Sequence, residues 1–292
     1  MEKTINQQLG YIRPGRVKGS IEMAGLFDKW YHRTAQLNKE SADEEGHYGL
    51  VCDGLMRKPS KDESGDDELE KSWWSQPMRI AFLMKDQNQG GNHWNEDARN
   101  WLSQKTDMQE LTNRTFRNIA NILWGLIYAT KEKEIFPPEK LDENFDEIKT
   151  CFHEIPFAYI ETKKQGGGSK LDNKNLKLYL NDYKELLYEE LDILNPNVYV
   201  CTGWPIYGFV QEYILQKYEG EPQNILTEVP SFKNIGKSEP SILLHIPSKT
   251  IILLGHHPSL QENYGGSMEN IYMSVMDHYD KFLHSPYYKD FF

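Results

Sequence analysis

The chain of 292 residues is 38% hydrophobic and 26% charged, enough apolar material for one large α/β domain or two small ones, and has no apolar run of membrane-spanning length. Its formal net charge of −11 repels a phosphate backbone at long range, which speaks against tight nonspecific binding of duplex nucleic acid. The 3 cysteines, Cys52, Cys151 and Cys201, are far apart and lack C-x-x-C spacing, so they cannot by themselves build a disulfide framework or a four-cysteine iron–sulfur or zinc site. The opening stretch MEKTINQQLG is polar and unlike a secretory signal, so a cytoplasmic protein with no membrane partner is expected.

Residues 1–77 read as an N-terminal extension and 78–292 as the main α/β domain. Polar residues with Pro14 and Gly15 lead into Met23, Leu26, Phe27 and Trp30, whose spacing predicts an amphipathic helix over Ile21–His32. Tyr48–Met56 is a short apolar piece that suits an extended segment packed on the main sheet. Arg57–Lys71 is charged almost throughout and is expected to be a solvated loop. Met78–Met84 then reads as a strand and Asn95–Leu102 as a short helix. Phe116, Ile119, Ile122, Leu123, Leu126 and Ile127 form one face of a helix over Leu111–Thr130.

Pro156–Glu161 reads as a second strand, and Leu176, Leu180, Tyr183, Leu187, Leu191 and Leu194 as the stripe of one long helix over Asn173–Leu194, stopped by Pro196. Val198–Cys201 is a third strand. After the turn Thr202-Gly203-Trp204, Pro205 sits where a first helical turn tolerates proline. Ile242–His245 and Ile251–Leu254 make a hairpin through Ile246-Pro247-Ser248-Lys249. Ser267 caps a last helix with Ile271, Val275 and Phe282 on its inner face. Strands alternating with helices define an α/β fold.

Polar or glycine residues follow the apolar run of four of the five predicted strands: Lys85 to Gly91, Glu161 to Lys164, Thr202 to Trp204, and Gly255-His256-His257-Pro258-Ser259. In a parallel sheet such ends converge on the edge where ligands bind. The last is the most pointed. Gly255 permits a sharp turn, Pro258 ends the ladder, and imidazoles are delivered at the end of a buried strand. A metal hydrolase built on His245, His256 and His257 is a weaker reading, because adjacent histidines on a strand point to opposite faces.

The order of these motifs resembles the uracil-DNA glycosylase superfamily, particularly its divergent bacterial members. Asn195-Pro196-Asn197-Val198-Tyr199-Val200-Cys201-Thr202-Gly203 fits the family's Pro-x-Val-x-x-x-Gly strand, and His257-Pro258-Ser259 its late His-Pro-Ser. The resemblance covers about Met78 to Leu283. It implies a three-layer α/β/α sandwich with a short, mostly parallel central sheet, no cofactor, and DNA or a nucleotide as partner.

The activity it implies is hydrolysis of a base–sugar N-glycosidic bond at uracil or another damaged base, in DNA repair. In that scheme His257 donates to the departing base, and Asp86 or Asn88 holds the attacking water. Gln87, Glu161, Thr162, Lys163, Gly203, Trp204, Ser259 and Leu260 contact substrate, with Trp94 and Phe152 as further aromatic candidates and Leu260 near the wedge position. Asp86-Gln87-Asn88-Gln89 lacks the family's proline, and Glu161-Thr162 stands where the family presents asparagine. These departures keep open a protein of the same fold that binds a nucleotide or nucleic acid without cutting it.

Overall fold

The computed structural model of the chain describes residues 18–37, 49–58, 65–88, 96–167, 171–217, 226–229 and 242–291. In chain order these form helix α1 (Lys18–Leu37), strands β1 (Val51–Cys52) and β2 (Gly54–Leu55), helix α2 (Gly65–Ser75), strands β3 (Ile80–Asn88) and β4 (Glu96–Asp97), helices α3 (Arg114–Glu132) and α4 (Phe145–Glu154), and strand β5 (Ala158–Gly167). Helices α5 (Asn173–Asp182) and α6 (Lys184–Leu194), strand β6 (Val198–Cys201), helix α7 (Trp204–Lys217), strands β7 (Leu226–Val229), β8 (Ile242–His245) and β9 (Thr250–Leu254), and helix α8 (Met268–Leu283) follow. The chain is α/β, divided into two compact units: residues 1–76, 84–103 and 158–195 in the first, and 77–83, 104–157 and 196–292 in the second.

In the first unit α1 buries Met23, Leu26, Phe27 and Trp30 and packs on α6. Trp30 stacks on Tyr183 at 4.7 Å between ring centroids, and Tyr183 on Tyr179 at 4.3 Å. The predicted long helix is divided at Tyr183, whose φ of −115° and ψ of 15° leave the helical region. β2 pairs antiparallel with β5, and β1 pairs parallel with β4.

The predicted solvated loop is corrected over Gly65–Lys71, which belongs to α2. Leu69 and Trp73 lie four apart, and the Trp73 indole is buried and donates to Leu194 O at 2.9 Å. An anchor of two side chains outweighs a charged composition. The helix predicted over Asn95–Leu102 is instead the short strand β4, a 3₁₀ turn over Ala98–Asn100 and a single helical turn.

In the second unit β3, β6 and β9 run parallel, with Ile80 opposite Val198 and Val198 opposite Ile251. β6 and β9 are buried at every position, as strands covered on both faces must be. β9 turns back into β8, and β8 pairs with β7, both antiparallel. The sheet is therefore mixed, not mostly parallel. The tight turn Ile246–Lys249 can join only antiparallel neighbours, and β7 extends that antiparallel edge. Helices α7 and α8 pack on β9, and α3 packs on α8. Ser267 caps α8 by accepting from Asn270 N at 3.1 Å, and Ile271, Val275 and Phe282 are fully buried, as expected from the sequence. None of the helices among the described residues is long and apolar enough to cross a membrane.

His278 lies buried on α8, and neither ring nitrogen has a hydrogen-bond partner among the described residues. Burial, and then the nearby Lys281 charge, push its imidazole down from 6.5 to about 4. Between those values the unfolded chain takes up a proton that the folded chain refuses. This contribution is complete above pH 6.5 and is lost as pH falls toward 4, by on the order of 2 kcal/mol. Urea unfolding followed across that window should show the slope in the native sequence and a flatter one in His278→Leu. An unchanged slope would assign the pH dependence to other groups.

Candidate functional site at the carboxyl ends of the second-unit strands

Parallel pairing brings the ends of β6 and β9 level, since Cys201 lies opposite Leu254 and Gly255 N donates to Cys201 O at 3.0 Å. Thr202 binds the neighbouring strand β3 through both its N–H and its hydroxyl, which donate to Leu83 O at 3.1 and 2.9 Å. Gly203 has φ of 136°, a conformation that side chains resist, and this turns the chain into α7. The turn leaves Trp204 46% exposed, its ring edge-on to Tyr207 at 5.7 Å.

Beyond β9, Gly255 lies against α8 so closely that an added Cβ would stand 2.6 Å from Val275 Cγ2. The His256 N–H donates to Ser274 Oγ at 2.9 Å. The buried Asn118 amide of α3 donates to Pro258 O at 2.8 Å, and Arg114 donates to Gly266 O. Helix α3 thus holds both limbs of the loop that carries His257. At the loop's base a Cβ on Gly266 would fall 2.0 Å from the backbone oxygen of Leu260. Gly266→Ala should force the backbone apart and destabilise the second unit by about 2–3 kcal/mol in urea unfolding, whereas Gly265→Asn, at φ of 83° with open space around it, should cost under about 1 kcal/mol. Equal costs would refute the close approach.

His257 is held by its successor. Nδ1 accepts from the Ser259 N–H at 3.2 Å and lies 2.8 Å from Ser259 Oγ. A backbone N–H can only donate, so the neutral ring carries its proton on Nε2 and presents a hydrogen-bond donor there. Leu260 N closes the turn on His257 O at 2.9 Å. His257 and Leu260 are half-exposed and Ser259 exposed. His245 lies elsewhere. It pairs with Thr250 at the start of β9, and its Nδ1 is 2.6 Å from Ser248 Oγ. The antiparallel hairpin thus sets it the length of β9, 5 residues, from Gly255, which corrects the expectation that the three histidines share neighbouring strand ends. Among the described residues no three His, Cys, Asp or Glu side chains are grouped to hold a metal ion. Phe152 is core, edge-on to Phe116 at 6.2 Å, and Trp94 lies outside the described residues.

The other candidates belong to the first unit. Two expected strand ends are not ends: β3 continues through Asp86, Gln87 and Asn88, and β5 through Glu161, Thr162 and Lys163 to Gly167. The side chains of Asp86 to Asn88 lie outside the described ones. Glu161 is buried, its N–H donating to Asp53 Oδ2 and its Oε1 accepting from the Tyr159 hydroxyl, both at 2.6 Å. Thr162 is buried and donates to Met84 O at 2.7 Å. Lys163 is half-buried, with Nζ on Gln165 O at 2.7 Å.

β5 can run on because Lys164 is neutralised from within. Its Nζ lies 2.5 Å from Asp53 Oδ1 and 2.8 Å from Glu190 Oε2, all three side chains having no exposure. Burial alone would lower the Lys164 ammonium, but Asp53 and then Glu190 outweigh it and hold it above its ordinary value. Burial, with the Asp53 charge reinforcing it against Lys164, raises the Glu190 carboxyl well above the usual range.

Sequence reasoning passed over Asn118, Arg114 and Ser274. The one available signal was a polar Asn118 on the apolar face of α3. No protein-family model, curated protein or solved structure matches this chain.

Proposed function

We propose that the chain is a DNA glycosylase-like hydrolase that cleaves a base–sugar N-glycosidic bond at uracil or another damaged base. The observation that carries this reading is the Nδ1 contact of His257 with Ser259, which leaves the proton of the neutral ring on Nε2. As a glycosidic bond lengthens, negative charge gathers on the base carbonyl and positive charge on the sugar. A fixed donor at the carbonyl stabilises the first. Trp204 offers a ring face to an extruded base, and Ser259 suits a backbone phosphate.

A second reading has one observation in its favour. Glu161 and Thr162, where the resembling family reads the base edge, spend hydrogen bonds on their own unit. A nucleotide-binding protein that does not cut would tolerate that. The test is base release from single- and double-stranded oligonucleotides carrying uracil, hypoxanthine, xanthine or oxidised bases. Release of one base supports the hydrolase and names its substrate. No release by folded protein, with retention of an oligonucleotide or nucleotide, supports the binder.

A further inference from the structure

Helix α3 presents Trp124, Ile127, Tyr128 and Lys131 along one stripe, at the i, i+3, i+4, i+7 spacing of a single face. Helix α4 packs beside it, with Asp146, Thr150 and Glu154 along a second stripe and Glu147 and Cys151 next to them. Between the stripes lies an open cleft of about 440 Å³, wholly within the second unit. Its aromatic wall is preformed: Trp124 stacks on Tyr128 at 5.0 Å, and Phe136 stands edge-on to both at 4.6 and 5.3 Å. Tyr128 is half-exposed to the cleft, while Asp146, Glu147 and Glu154 are exposed on the facing helix. Lys131 is the only cation among the lining residues.

We propose that this cleft docks an extended, basic peptide segment. An aromatic face opposite carboxylates is the environment that a guanidinium or ammonium group prefers, one side stacking and the other bonding. The spacing suits a strand-like partner. Asp146 and Glu154 are eight residues apart on α4, about 12 Å along its axis, close to the ~13 Å between positions i and i+4 of an extended peptide. Two arginines four apart on such a segment each meet a carboxylate, and the chain between them lies on Ile127 and Tyr128. The cleft is separate from the His257 loop, so this inference stands apart from the glycosylase reading.

The test uses a fluorescein-labelled peptide with arginines four positions apart in a glycine–serine background, titrated with the full chain and read by anisotropy at moderate salt. Glu154→Lys is compared with Glu185→Lys, an exposed position on α6, which alters the net charge by the same amount. Glu154→Lys should weaken binding about tenfold, Tyr128→Leu about threefold, and Glu185→Lys less than about twofold. Equal weakening by the two charge reversals would reduce the effect to the overall acidity of the chain and overturn the proposal. So would the absence of binding by folded protein.

Discussion

Lys164→Met is expected to cost about 3–5 kcal/mol of stability, the largest effect of any substitution considered for this chain. The ammonium and its partners Asp53 and Glu190 have no exposure. Methionine matches the stem and removes the charge, leaving Asp53 without its counter-ion while that same carboxylate still accepts from Glu161 N. Trp30, whose ring lies 5.6 Å from Lys164 Nζ, provides a fluorescence report of the first unit during urea unfolding. Glu190→Gln makes a sharper comparison. It keeps the shape and a hydrogen-bonding oxygen at that position and leaves Asp53 on the ammonium, so it should cost less than Lys164→Met, about 1–2 kcal/mol. If both variants lost the same amount, the ammonium would depend on Glu190 as much as on Asp53, and the ranking of the two partners would be wrong.

His257→Ala is expected to lower the single-turnover rate of base release by about 10²–10³-fold while leaving substrate affinity within about twofold. Only an interaction that strengthens as the bond breaks acts on the rate in this way, and a donor at the base carbonyl is one. Ser259→Ala separates positioning from chemistry. It removes the hydroxyl beside Nδ1 but keeps the backbone N–H, so the tautomer survives with a looser ring. A fall of about tenfold in the single-turnover rate at saturating substrate fits that role. A rate untouched in His257→Ala would sink the hydrolase, whatever the base released.

Strands β6 and β9 and helices α3 and α8 were legible in the sequence because each carries an unbroken apolar run or a full helical stripe. The carboxyl-end loop was legible for a related reason: Gly255, Pro258 and the histidines are conspicuous after five buried residues. What was not legible depended on partners distant in sequence. Lys164 reads as a residue that ends a strand until Asp53 and Glu190, 111 and 26 positions away, are seen to neutralise it. Glu161 and Thr162 looked like substrate contacts because nothing local shows that Asp53, Tyr159 and Met84 already engage them. In α2, Leu69 and Trp73 are a signal too sparse for periodicity to separate from a charged loop.

The cysteines, idle in the chemistry, make the chain its own reporter. Cys52 and Cys201 are buried, one in each unit, and burial raises the Cys201 thiol far above its ordinary value, while Cys151 is half-exposed on the cleft between α3 and α4. A thiol reagent therefore meets three different clocks. Cys151 reacts with the native protein and can carry a probe to the cleft, whereas Cys52 and Cys201 wait for their own unit to open. The two slow rates, resolved by mass, record the opening of each unit separately in a single sample without denaturant.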